Sequence, residues 1–181
     1  MNNDSNRKYH ILSLLVENKH GVLARVAGLF AGRGYNIHSL TAAETEDPGL
    51  SKIIITCKDE MHVIEQVKKQ VNKIIDVIKI IDLTTTNTVD RELGLIKINC
   101  KAQQRQEAFQ ITEAFRARVV DIGQDSAIFE ITGNSEKLDA FVSVLQQYGI
   151  VEIVRTGLIS LQRGVKPTQT ADAAKEPVNG I

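Results

Sequence analysis

Tryptophan is absent from this 181-residue chain, aromatic residues make up only 4%, cysteine occurs twice and proline three times. The shortage of aromatics removes the stacking platforms on which single-stranded nucleic acids are held. No net charge stands in for them, because Lys+Arg and Asp+Glu balance at 22 each. The chain as a whole therefore sets up no field that gathers nucleic acid or an anionic membrane surface. Cys57 and Cys100 lie inside apolar, strand-like runs and read as buried thiols, not as a disulfide framework. His10, His20, His38 and His62 are scattered without metal-ligand spacing, so no metal site is expected. No apolar run is long enough to span a bilayer. The opening Met1-Asn2-Asn3-Asp4-Ser5-Asn6 lacks the apolar region of a signal peptide, and a cytoplasmic location is expected.

Catalytic motifs are missing as well. There is no Gly-x4-Gly-Lys-Ser/Thr phosphate loop. Gly32-x-Gly34 ends a helical pattern instead of opening one after a strand, so it is not a dinucleotide fingerprint. No Ser, Cys, His and acid grouping stands out by spacing, and no catalytic residue is assigned.

What is present is a soluble-protein composition, 43% hydrophobic and 24% charged, arranged around one stretch. The short apolar run Ile11-Leu12-Ser13-Leu14-Leu15-Val16 reads as a buried strand ending at a turn. After the turn, Val22, Leu23, Val26, Ala27 and Phe30 recur at helical spacing. Gly32 and Gly34 stop that helix, and Asn36-Ile37 opens the next strand. The turn at Gly21 admits two readings. Glycine is either needed there for its dihedral angles alone, or it clears the way to the unpaired amides of about Gly21 to Leu23. The positive end of a helix dipole favours a small carboxylate at such amides.

Along the chain, strands are predicted over Lys8–Glu17, Asn36–Glu46, Ser51–Cys57 and Val77–Leu83. Helices are predicted over Gly21–Arg33 and after an Asp59 N-cap, the latter with Val63, Ile64, Val67, Val71 and Ile74 on its apolar face. Glu46-Asp47-Pro48-Gly49 marks a turn. Thr84-Thr85-Thr86-Asn87-Thr88 breaks all periodicity, and the pattern then starts again. A strand is expected over Glu92–Lys101, then a helix face of Ala108, Phe109, Ile111, Thr112 and Phe115. Two strands follow around Gly123-Gln124-Asp125, with a helix carrying Leu138, Phe141, Val142 and Leu145. A last strand runs over Ile150–Leu161, broken at Gly157. The expectation is an α+β protein of two consecutive ferredoxin-like βαββαβ domains, 8–84 and 90–163, with a disordered tail over 164–181 and a frayed start over 1–7. RNA-recognition domains share this frame, but the central strands here carry Ile11, Leu12, Leu14 and Ile53 to Ile55 where stacking aromatics are needed.

The run Glu17-Asn18-x-x-Gly21-Val22-Leu23-x-Arg25-Val26-x-Gly28-Leu29-Phe30 resembles an ACT domain, the amino-acid-sensing module. With Arg33-Gly34-Tyr35-Asn36-Ile37-x-Ser39-Leu40-Thr41, Asp47-Pro48-x-Leu50-Ser51 and Val89-Asp90-Arg91-Glu92-Leu93, the chain resembles the regulatory (small) subunits of acetolactate synthase, or acetohydroxyacid synthase. Phe115-Arg116, Gly133, Lys137-Leu138-Asp139-Ala140-Phe141 and Arg155-Thr156-Gly157 extend the likeness over about Tyr9 to Arg163.

The resemblance implies a non-catalytic partner of a large subunit. That subunit is expected to hold thiamine diphosphate, FAD and Mg2+ and to condense pyruvate or 2-oxobutyrate; this chain is expected to hold no cofactor. The small subunit of the family raises the large subunit's activity and confers feedback inhibition, usually by valine, in branched-chain amino-acid synthesis. It implies a homodimer through the ACT domain with the effector at the pair interface. Carried over by position, the effector site falls on Asn18, Gly21, Val22 and Leu23, with Asn36 and Ile37 from the facing protomer. On that footing the ligand reading of Gly21 is favoured. The second half has no glycine at Cys100-Lys101-Ala102-Gln103, and no equivalent ligand is expected there. The alternative is a stand-alone ACT-type amino-acid sensor acting on another partner.

Overall fold

The computed structural model describes residues 8–164; the readings for residues 1–7 and for the tail past Gly164 lie outside them. Both halves fold in the order the periodicity predicts. The first carries β1 (Lys8–Glu17), α1 (Val22–Gly32), β2 (Ile37–Glu44), β3 (Leu50–Asp59), α2 (Met61–Val71) and β4 (Val77–Asp82). The second carries β5 (Thr88–Asn99), α3 (Arg105–Ala114), β6 (Arg118–Ile122), β7 (Ser126–Gly133), α4 (Ser135–Leu145) and β8 (Ile150–Arg155), followed by β9 (Ile159–Gln162).

In the first unit the sheet order is β2-β3-β1-β4, all antiparallel. The register sets Leu12 opposite Ile55 and Leu14 opposite Ile53. Because side chains alternate along a strand, Leu12, Leu14 and Val16 share one face. That face packs with Val22, Val26 and Phe30 of α1 and Ile64, Val67 and Val71 of α2. The second unit repeats the plan with order β6-β7-β5-β8. Its core is Ile96, Ile98, Phe129 and Ile131 under Ala108 of α3 and Leu138, Phe141 and Leu145 of α4. Cys57 and Cys100 are both buried and neither forms a disulfide among the described residues.

Three local expectations shift. The second helix starts at Met61 with Glu60 as its N-cap, not Asp59, and no side chain caps it. The strand expected from Glu92 begins at Thr88, so the bridge shortens to a turn over Thr84 to Asn87, in which Thr86 N–H donates to Leu83 O. The last strand is two strands, and the break holds Gly157 at φ 79°. β9 pairs with β5, and Arg163 N–H donates to Asn87 O. Residues 160–164 accordingly group with 8–89, and 90–159 form the other compact unit. Among the described residues no helix is long and apolar enough to cross a membrane.

Candidate functional site

The turn between β1 and α1 is shaped by Gly21, at φ 82° and ψ −5°. Val22 N–H closes the turn on Lys19 O at 3.3 Å, and a type II turn requires positive φ at its third residue, the place glycine holds. Gly21 is also the N-cap of α1, and no side chain caps the helix. α4 differs: there Asn134 Oδ1 accepts from Lys137 N–H at 3.1 Å. At α1 the N–H groups of Gly21, Leu23 and Ala24 find no acceptor among the described residues. They point from the positive end of the helix dipole, the arrangement that holds a carboxylate. Of the amides singled out from sequence, that of Val22 is taken and its neighbours are open.

Charge gathers around this turn. Lys19 Nζ lies 2.6 Å from Glu17 Oε2, and that hydrogen bond raises the lysine's pKa. Arg25 Nη2 lies 2.6 Å from Asp76 Oδ2, a buried carboxylate oxygen that accepts no aligned hydrogen bond, so the pair is held by Coulomb attraction. Arg25 Nη1 would stand 3.6 Å from a Cβ placed on Gly21.

Asn18 is tied to the hairpin between β2 and β3. Its N–H donates to Gly49 O at 2.8 Å. Its side-chain Nδ2 donates to Glu44 Oε1 and to Pro48 O, both at 3.0 Å. Gly49 N–H donates to Asp47 Oδ1 at 2.8 Å, which braces the hairpin tip. The Asp47-Pro48 signal thus marks a support for Asn18, a role that turn chemistry alone does not announce. Glu44 carried no sequence signal of its own.

The other candidates separate. Val22 is buried, 3% exposed, in the first core, so its side chain faces away from solvent. Leu23, read from periodicity as a core residue, is 44% exposed and stands beside the open amides. Asn36 and Ile37 follow the far end of α1. Gly34 at φ 71° ends the helix with Gly34 N–H on Ala31 O and Tyr35 N–H on Phe30 O, a Schellman stop. The Tyr35 ring meets Phe30 edge-on at 6.3 Å. An 11-residue helix is about 16 Å long at 1.5 Å per residue, too far for one small ligand to touch both ends. One chain brings together Asn18, Gly21 and Leu23, and places Asn36 and Ile37 elsewhere, at the start of the edge strand β2.

The corresponding turn of the second unit is braced by side chains. Lys101 N–H is held by Gln104 Oε1 at 3.3 Å, and Arg105 Nη2 donates to the Gly123 and Gln124 carbonyls at 2.7 Å each. The motif residues of this unit converge instead on an ion-pair cluster. Arg155 grips the buried Glu92 with two parallel bonds of 2.8 and 2.7 Å and Asp139 with one of 2.6 Å. Among the described residues no three His, Cys, Asp or Glu side chains gather as metal ligands.

Comparison with known proteins gives two family models. Residues 12–79 match the AHAS small subunit-like ACT domain, and residues 91–164 match the small subunit of acetolactate synthase. A probable acetolactate synthase small subunit of Methanothermobacter thermautotrophicus is 47% identical over 156 residues, 86% of this chain and 93% of that protein. The acetolactate synthase small subunit of Mycolicibacterium smegmatis is 46% identical over 155 residues, covering 86% and 91%. The crystal structure of the Thermotoga maritima acetolactate synthase small subunit superposes with a TM-score of 0.79 at 42% identity, over 88% of this chain and 99% of that one.

Proposed function

The chain belongs to the acetolactate synthase small-subunit family, with an N-terminal ACT domain and two ferredoxin-like units, and from that premise we propose that it activates a catalytic large subunit and makes it sensitive to valine. The observation that carries the reading is a likeness to small subunits that runs through both units. Its cytoplasmic partner is the thiamine-diphosphate enzyme that commits carbon to the branched-chain amino acids.

The effector site is built at the Gly21 turn, within an ACT domain of residues 8–84. The amides of Gly21, Leu23 and Ala24 take the effector's carboxylate, and Asn18 Oδ1 takes its ammonium. Leu23 meets the branched side chain, while Val22 fixes the turn by packing beneath it. A second protomer supplies Asn36 and Ile37, which is why both ends of α1 carry site residues that a single chain keeps about 16 Å apart. The working unit is thus a homodimer that the effector joins. The second unit, 90–159, takes no equivalent ligand.

The test is size-exclusion chromatography of this chain with its cognate large subunit, alongside calorimetric titration of the chain with L-valine. The reading expects a stoichiometric complex and valine binding at one or two sites per dimer. Separate elution at micromolar concentrations, or no heat of valine binding, contradicts it.

A further inference from the structure

Helix α3 ends in the same backbone stop as α1, with a different residue at the critical position. Arg116 N–H donates to Glu113 O and Ala117 N–H to Thr112 O, both at 2.9 Å, the two bonds of a Schellman stop. The residue that makes the stop stands at positive φ, Gly34 at 71° after α1 and Arg116 at 52° after α3. Among the described residues Arg116 is the one non-glycine at positive φ. A Cβ is crowded in that region, which is why glycine usually fills it. No polar contact of the fold accounts for an arginine there. The residue is exposed, and among the described residues no hydrogen bond or ion pair holds its guanidinium.

Arg116 leads into β6, an edge strand that pairs with β7 on one side and is open on the other. Val119 packs on the core, so the alternation of a strand sends Arg118 to the opposite face. Arg118 is exposed and forms no ion pair among the described residues, although Glu130 stands opposite it in the ladder. A bulge between Val119 and Asp121 leaves Val120 with no residue opposite. Val120 and Ile122 are 50% and 52% exposed. The open edge thus offers backbone donors and acceptors, two guanidiniums at its start, and two bare aliphatic side chains beyond them.

We propose that β6 is a docking edge for the catalytic large subunit. It takes an extended segment of that protein whose acidic side chains meet Arg116 and Arg118 and whose apolar ones cover Val120 and Ile122. The inference rests on the small-subunit reading above and adds the surface and the chemistry of the segment that meets it. A peptide that joins a sheet edge gains affinity from main-chain hydrogen bonds and specificity from the side chains beside them. Arginine suits the acidic part, because its planar fork meets a carboxylate with two parallel bonds. A charge on an edge strand also keeps stray strands from pairing with it, a duty that Arg118 can perform alone. Arg116 precedes the strand, and strained backbone of this kind is kept where the side chain has work to do. The contact between copies proposed above lies at β2 of the first unit, which leaves this edge to the other partner.

The test is the affinity of the full chain for its cognate large subunit, by calorimetry at low and at high salt. The variants are Arg116→Gly, Arg116→Glu and Val120→Asp, each chain alone being checked by thermal melting and light scattering. Arg116→Gly installs the residue the stop prefers, so its melting temperature should hold within about 2 °C or rise by up to about 4 °C. Its complex should nevertheless weaken by about tenfold and lose part of its salt dependence. Arg116→Glu should weaken the complex by about a hundredfold, and Val120→Asp by about tenfold. A larger fall in the melting temperature of Arg116→Gly means that the arginine serves the fold, and overturns the inference. If all three variants bind the large subunit as the wild type does, this inference falls and the small-subunit reading stands. If they change the association of the chain with itself and leave that affinity intact, the edge joins copies of this chain, and the inference falls too. If the wild type itself does not bind, the reading and the inference fall together.

Discussion

Gly21 holds a left-handed dihedral at φ 82°, and the proposed effector site asks of it a clear approach to the amides behind it as well. Substitutions can part them. Asn and Asp both tolerate positive φ better than other residues, at a cost of roughly 1 kcal/mol against glycine. Gly21→Asp adds a like charge against the effector carboxylate, worth several kcal/mol in a partly desolvated pocket, so valine inhibition should weaken by about a hundredfold or more. Gly21→Asn adds similar bulk without the charge and should lose less. Asn36→Ala, which removes one polar contact, should weaken inhibition by about tenfold. Inhibition curves of the reconstituted enzyme rank the three, and a Gly21→Asp chain that folds yet responds to wild-type valine concentrations contradicts the site. The turn at Gly21 was legible because a glycine between an apolar strand and an apolar helix marks a break that other residues make poorly. Leu23 misled for the opposite reason. At helical spacing Val22 and Leu23 are neighbours on the edge of one stripe, and only packing decides that Val22 turns inward and Leu23 outward.

At the scale of elements, the polar residues that set the family likeness in the second unit serve as a clamp. Arg155 on β8 grips Glu92 on β5 and Asp139 on α4, and these bonds raise its pKa above the ordinary arginine range. Arginine is charged at every relevant pH, so the guanidinium of the clamp stays cationic throughout. Arg155→Ala leaves the Glu92 carboxylate buried without its partner, and should destabilise the chain by about 2–4 kcal/mol in urea denaturation, discounted for the partial exposure of Arg155. A loss below about 0.5 kcal/mol would show that water replaces the guanidinium. No periodicity reveals such a clamp, since its members lie 63 and 16 positions from Arg155.

The end of β4 carries a titrating counterpart. Burial works to raise the pKa of Asp82, but hydrogen bonds from Thr84, together with Lys68 at 3.6 Å and His10, bring it below the ordinary carboxylate value. A depressed folded-state pKa adds stability above the unfolded value, lost as pH falls through the folded one. The wild type should therefore exceed Asp82→Asn in stability at pH 7, and the gap should close below about pH 4. Urea midpoints of the two proteins at pH 7 and pH 3 check this; a gap that widens on acidification contradicts the assignment.

For the whole molecule, the doubled βαββαβ order was legible because strands and helices alternate in period with clear turn signals between them. The return of residues 160–164 to the first unit was not, since pairing between distant strands leaves no local mark. Nor does a single chain join Gly21 and Asn36, the two parts of the proposed effector site. The most direct measurement is acetolactate formation by the cognate large subunit as this chain is titrated in, with and without valine. The account predicts that the rate climbs to a plateau at a fixed stoichiometry, and that valine then suppresses it while leaving the large subunit alone unaffected. A rate that stays flat through stoichiometric excess, with valine making no difference, contradicts it.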